Sequence, residues 1–231
     1  MPSAGVKGRA VKEGPSGPLP GQGAAVAVVV AHPDDESLWA GGLLLSHPEW
    51  RVFVAALCRR SDPDRAPKFY LALKRLGADG AMGDLDDGPD QRPLSEAEVA
   101  SQVLSLLPAG VYDLVVTHSL RGEYTRHRRH EETARAVLRL WREGTLHAKA
   151  LLAFAYEDGG GAYLPRAEEG ASFRLSLPCP VWAEKLRIIT DIYGFREESW
   201  EARTVPRMEA FWRVGASEEK EFWAREVAAH P

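Results

Sequence analysis

Ala24-Ala25-Val26-Ala27-Val28-Val29-Val30-Ala31 runs without a break into His32-Pro33-Asp34-Asp35-Glu36 and then Ser37-Leu38-Trp39-Ala40-Gly41-Gly42. The continuous Val/Ala run predicts a strand covered on both faces, as in a parallel sheet. The acids that follow predict a tight loop opening a helix at Asp35 or Glu36 that continues to about Leu45, because carboxylates in a first turn complement the helix dipole. A strand therefore delivers one imidazole and three carboxylates to the sheet edge where open α/β proteins bind ligands. Groups of this kind repel one another unless a cation or a proton separates them.

Outward from this stretch, the chain alternates. Arg51–Leu57 reads as a second strand ending at Cys58, and Pro67–Leu76 as a helix stopped by Gly77. A weak third strand is expected near Gly80–Met82, followed by an acidic turn around Asp84–Asp90. Ser95 with Glu98 forms a capping box for the next helix. Tyr112–Thr117 is a fourth strand with His118 at its carboxyl end, a helix runs from near His130 through Trp141, and Lys149–Ala155 is a fifth strand. Residues 172–178 predict another strand, Val181–Tyr193 a helix, and Ser217 the cap of a last helix. Alternation over residues 24–155 predicts an α/β fold, a mostly parallel sheet with helices on both faces. Residues 1–22, rich in Gly and Pro and without a period, read as a disordered tail, which leaves one domain over 23–231.

Composition narrows the function classes. A net charge of −4 over 231 residues argues against a nucleic-acid partner. No apolar run approaches the roughly 18 residues of a membrane span. The N-terminus lacks the apolar core of a signal peptide, and the two cysteines, Cys58 and Cys179, have no framework or metal-type spacing. A reducing cytoplasm is the expected location. Cys58 itself reads as a small buried hydrophobe. A homo-oligomer is compatible with the sequence.

His32, one of the aspartates of the loop, and the distant His130 make a sensible ligand set for a catalytic zinc, three protein groups leaving one position for water. Spacing does not decide between Asp34 and Asp35. His130 lies near a helix start, where the dipole disfavours imidazolium and so keeps the ring in the form a metal needs. The carboxylate left over can take a proton from water and pass it to a leaving amine. His127, three residues before His130, can polarise a carbonyl or hold an oxyanion. The combined parts fit metal-assisted hydrolysis. Iron(II) also suits imidazole and carboxylate donors.

Ala31-His32-Pro33-Asp34-Asp35-Glu36 after a Val-rich strand, with His127-x-x-His130 far downstream, resembles the LmbE-like (PIG-L) de-N-acetylase family. The resemblance covers about Ala24–Ala155. It implies a Rossmann-like three-layer fold and zinc-dependent removal of acetyl from an N-acetylglucosaminyl-type small molecule. It makes His32, Asp35 and His130 the metal ligands, Asp34 the general base, and His127 the oxyanion partner. Arg65, His118 and Tyr124 are further candidates for substrate contact. Three departures stand out, the first being that Tyr124 is not at the spacing of the family's oxyanion-assisting tyrosine. The family's His-Pro-Asp-His is His127-Arg128-Arg129-His130 here, so the aspartate that orients a histidine is replaced by Arg129. The usual Gly-Glu after the second strand is replaced by Arg60-Ser61-Asp62-Pro63. Two alternatives stay open: a metal-dependent phosphoesterase served by the arginine-rich loop around Arg121–Arg129, and a sugar-binding homologue whose catalysis is impaired.

Overall fold

The structure, a computed structural model, describes residues 19–125 and 127–214. The expected last helix at Ser217 lies outside the described residues, as does most of the expected tail. Leu19 and Pro20, within that tail, meet the body: Leu19 packs on the core and the Trp50 indole donates to the Pro20 carbonyl.

The helices and strands run β1 (Ala25–Val30), α1 (Asp35–Leu45), β2 (Arg51–Cys58), α2 (Arg65–Leu76), β3 (Ala78–Leu85), α3 (Glu96–Leu106), β4 (Leu114–Thr117), α4 (Arg128–Arg142) and β5 (Leu151–Phe154). A short pair, β6 (Tyr156–Glu157) and β7 (Arg166–Ala167), precedes β8 (Phe173–Ser176), α5 (Cys179–Arg187), a π-helical turn (Ile188–Ile192), α6 (Trp200–Thr204) and β9 (Met208–Val214). The main sheet has seven strands in the order β3-β2-β1-β4-β5-β9-β8. β1 to β5 pair in parallel, and β9 and β8 join antiparallel at one side.

β1 is central, which is why its sequence is apolar on every side chain. Val26, Val28 and Val30 pack with α1, α2 and α5, whereas Ala27 and Val29 pack with α3 and α4. The result is the expected three layers. The chain places β2 and β3 on one side of β1, then returns to place β4 on the other. The carboxyl ends of β1 and β4 therefore form the switch point at which α/β sheets bind ligands.

Local signals explain most boundaries. Gly77 ends α2 at φ 69, and its N–H returns to the Leu73 carbonyl. Ser95 caps α3 by accepting from the Glu98 N–H at 3.2 Å. The third strand is longer than expected, eight residues instead of three, because β2 pairs along Ala78–Leu85 despite its Gly and Asp residues. The expected Val181–Tyr193 helix divides at Arg187 into α5 and the π turn. β9 has no counterpart in the sequence reading. Its Glu209 is fully buried and interrupts the apolar run, yet it is satisfied by Lys185 and by the N–H groups of Gly42 and Leu43, each at 2.7 Å. Cys58 is buried, as expected. Among the described residues, no helix is long and apolar enough to cross a membrane.

Candidate metal centre

The loop between β1 and α1 is built around a backbone exception. Asp34 sits at φ 113, a left-handed conformation that costs a non-glycine residue on the order of 1–3 kcal/mol. Glu36, fully buried, holds it there: its Oε2 accepts the Asp34 N–H at 3.0 Å, while its Oε1 accepts from Ser37 Oγ at 2.6 Å and from Tyr193 OH at 2.7 Å. Glu36 is thus spent on the frame, and the carboxylates of Asp34 and Asp35 face inward. Asp35 Oδ2 accepts the His32 N–H at 2.9 Å and Oδ1 accepts the Trp39 indole N–H at 3.2 Å.

Three ligand-type atoms then converge. His32 Nδ1 lies 3.2 Å from His130 Nε2 and 3.2 Å from Asp35 Oδ2, and His130 Nε2 lies 3.3 Å from Asp35 Oδ2. Tetrahedral zinc with bonds of about 2.0–2.1 Å sets its ligand atoms about 3.3–3.4 Å apart. The triangle has that size before any ion is placed in it. The opposite ring nitrogens are also engaged: His32 Nε2 meets Asp87 Oδ1 at 3.1 Å, and His130 Nδ1 meets Glu123 Oε2 at 2.6 Å. Carboxylates in those positions fix the tautomer and ring orientation of metal-binding histidines. The donor set and its surroundings fit a divalent ion.

His118 and His127 stand close by, in the ligand-type groups Asp35/His118/His130 and His32/His127/His130. Geometry separates them. His118 is fully buried, its Nε2 accepts the Ala31 N–H at 3.0 Å and its Nδ1 meets Glu123 at 2.9 Å. Both of its nitrogens are occupied, Nε2 by a backbone N–H of the loop after β1 and Nδ1 by Glu123, so it braces the ends of β1 and β4. His127 differs: its ring stacks on His130 at 4.4 Å, and its buried Nδ1 has no partner. Burial, then the neighbouring His130 and His32 rings, hold its pKa down to about 3, so the ring is neutral.

Asp34 takes the Arg65 guanidinium at 2.6 Å, and Arg65 lies over the Phe195 ring at 4.6 Å. Burial and the adjacent Asp35 carboxylate push Asp34 up to about 8, against the pull of Arg65. Asp35 goes the other way: burial opposes its charge, but His130 first, and then the adjoining His118 and His32 rings, carry it well below the usual carboxylate range. Two adjacent carboxylates are thereby divided into one that stays charged and one that holds a proton more readily.

Two corners of the triangle, His32 and Asp35, line a cavity of about 190 Å³ together with Asp34, Arg59, Arg65, Asp87, Tyr124, His127, Trp200 and Glu201, while the third corner, His130, is fully buried. Tyr124 packs edge-on to Trp200 at 4.7 Å and to His130 at 5.4 Å. The structure thus brings His32, Asp34, Asp35, His127 and His130 together, with Arg65 and Tyr124 in the wall. Sequence reasoning missed Glu123, Asp87, Arg59, Trp200 and Glu201. Asp87 stood in a stretch that reads as a turn, and its one available signal was its place just past the carboxyl end of a strand. Glu123 supplies to His130 the orienting acid that the His127-Arg128-Arg129-His130 stretch lacks.

No protein-family model matches the chain. An uncharacterized protein of Acanthamoeba polyphaga mimivirus is 24% identical over 111 residues, 42% of this chain and 49% of that protein, so the match spans about half of that relative's length. Among solved structures, the N,N'-diacetylchitobiose deacetylase of Pyrococcus horikoshii, bound to an inhibitor, superposes with a TM-score of 0.64 at 16% identity over 85% of each chain. The zinc-inhibited form of the teicoplanin deacetylase Orf2 gives 0.57 at 16% identity, over 82% of this chain and 97% of that one. GalB, the 4-carboxy-2-hydroxymuconate hydratase of Pseudomonas putida KT2440, gives 0.58 at 19% identity, over 83% and 96%. The chain has the α/β fold of these deacetylases, as the LmbE-like resemblance implies. The same fold also carries a hydratase.

Proposed function

We propose that this protein is a zinc-dependent deacetylase that hydrolyses the N-acetyl group of an amino-sugar conjugate. The observation that carries the reading is the 3.2–3.3 Å triangle of His32, Asp35 and His130 with the Asp34 carboxylate beside it. Zinc held there supplies a Lewis acid for the acetyl carbonyl and lowers the pKa of water to about 7. Iron(II) would serve the same donors.

The rest is the work of side chains. Asp34 takes the proton from the attacking water and keeps it while the new C–O bond forms. It then gives that proton to the leaving nitrogen as the C–N bond breaks, releasing acetate and an amine. Arg65, on Asp34 Oδ2, fixes which way that carboxylate faces. His127, neutral and in the cavity lining, hydrogen-bonds the oxygen on which negative charge develops. Tyr124 and Trp200 offer aromatic faces, and Glu201 a carboxylate, to a ring bearing hydroxyls.

The test is acetate release from a panel of N-acetylated amino sugars, with zinc-loaded and chelator-treated protein. Zinc-dependent release is expected, and Asp34→Asn should lower turnover by about 10²–10⁴-fold while keeping its metal. Near-normal turnover by Asp34→Asn sinks the mechanism. The hydratase fold neighbour favours a second reading, water addition to a carbon–carbon double bond at the same centre; zinc binding without acetate release from any member of the panel would point there.

A further inference from the structure

α4 serves the metal centre twice. His130 enters it directly. Arg129, the preceding residue, is 1% exposed and turns away from it, toward the segment between β3 and α3. There its guanidinium donates to the backbone carbonyl of Asp86 through Nε and to that of Arg92 through Nη2 at 2.6 Å, and pairs with Glu132 through Nη1. The other oxygen of Glu132 accepts the Leu94 N–H at 3.1 Å. Arg129 and Glu132 thus grip residues 86–94 at both ends.

This segment contains neither helix nor strand, so side-chain bonds shape it. Within the grip, Gln91 is in a left-handed conformation at φ 46 and donates through Nε2 to Asp87 Oδ1 at 3.0 Å. Asp87 is bonded covalently to the carbonyl that Arg129 holds, and its Oδ1 meets His32 Nε2 at 3.1 Å. A continuous path therefore leads from α4 through the segment to the ring of His32.

We propose that Arg129 is a positioning residue for His32: it sets the orientation of that metal ligand by fixing the backbone that presents Asp87. The replacement of the family's aspartate by Arg129 then has a use, since Glu123 orients one histidine directly while Arg129 orients the other at a distance. The proposal rests on the metal-centre reading but not on the identity of the reaction.

The experiment measures zinc affinity by competition with a chelator, for the wild type, Asp87→Asn, Arg129→Met and their combination. Loss of an orienting partner of a metal ligand weakens binding by roughly 10–100-fold, and each single variant should fall in that range. Because both act on His32 by one path, the combination should bind no more weakly than Asp87→Asn alone. Combined with Glu123→Gln, which acts on His130, the losses should multiply. Wild-type affinity in Arg129→Met, or multiplied losses with Asp87→Asn, overturns the proposal. Arg129→Met strands the Glu132 charge, so Arg129→Met/Glu132→Gln is measured in parallel. Should both unfold, hydrogen exchange of the wild type decides: zinc must slow exchange of the amides at 86–92, and unchanged exchange overturns the path. A wild type that binds no zinc overturns the metal centre and this proposal together. Zinc binding with the expected coupling but no acetate release overturns the deacetylase reading alone.

Discussion

His130 and His32 meet at the same point but are held by carboxylates in unlike surroundings. On the His130 side, Glu123 is fully buried, joins His118 and His130, and accepts the Ser119 N–H at 3.1 Å. Burial opposes the charge of Glu123, but the two rings bring its pKa down to about 2. On the His32 side, Asp87 lies in the pocket wall, and its further partner Arg59 is 42% exposed. One half of the centre belongs to the core, the other to the wall of the cavity. A buried carboxylate between two rings cannot yield without leaving charges unpaired, whereas one at a cavity wall can exchange a partner for water. The first half is a fixed anchor and the second is where the centre can adjust.

Three substitutions test that contrast. Glu123→Ala should be the most damaging, because it leaves His118 and His130 without their shared partner. Breaking a buried charged contact costs about 3–5 kcal/mol, so urea unfolding should show a loss of that order together with weakened zinc binding. Unchanged stability would mean the anchor is not an anchor. Asp87→Asn should separate the two properties, weakening zinc by about 10–100-fold while shifting the unfolding midpoint far less than Glu123→Ala does. Equal destabilisation by the two would erase the distinction. Arg59→Ala should do least. Its bonds to Asp87, 2.8 Å from Nε and 2.6 Å from Nη2, are partly solvated, and such pairs contribute about 0–1 kcal/mol. Only a few-fold change in zinc affinity is expected, shrinking as salt is raised; a salt-independent loss as large as that of Asp87→Asn would place Arg59 in the anchor.

The two halves also differ in how far the sequence disclosed them. His32, Asp34 and Asp35 lie within four consecutive residues after an apolar strand, and a turn that short leaves their side chains few places to go. The continuous Val/Ala run of β1, the caps of α2 and α3, and the strand-to-helix rhythm are likewise local, and they define the parallel part of the sheet. Asp87 and Glu123 become partners through space, across 55 and 7 residues respectively. Each sits in a polar turn whose composition looks like any other. Trp200 and Glu201 reach the cavity from a helix of five residues, too short to show a period. β9 was hidden for a different reason: burying Glu209 requires Lys185, 24 residues earlier, and two helix N–H groups more than 160 residues earlier, none of which a local pattern reports.

That last contact sets an order of events in the making of the protein. Glu209 reaches the C-terminal half of α1, and an added Cβ at Gly42 would come within 2.4 Å of Leu177 and 2.9 Å of the Glu209 carboxylate. The helix that begins at Asp35 is therefore seated on a strand made long after it. The His32–Glu36 stretch leaves the ribosome early, but the surface that steadies its helix leaves it well over a hundred residues later. A nascent chain stopped short of Met208 would carry the whole His32–Glu36 stretch and still lack its support, so that stretch is steadied only once β9 has been made.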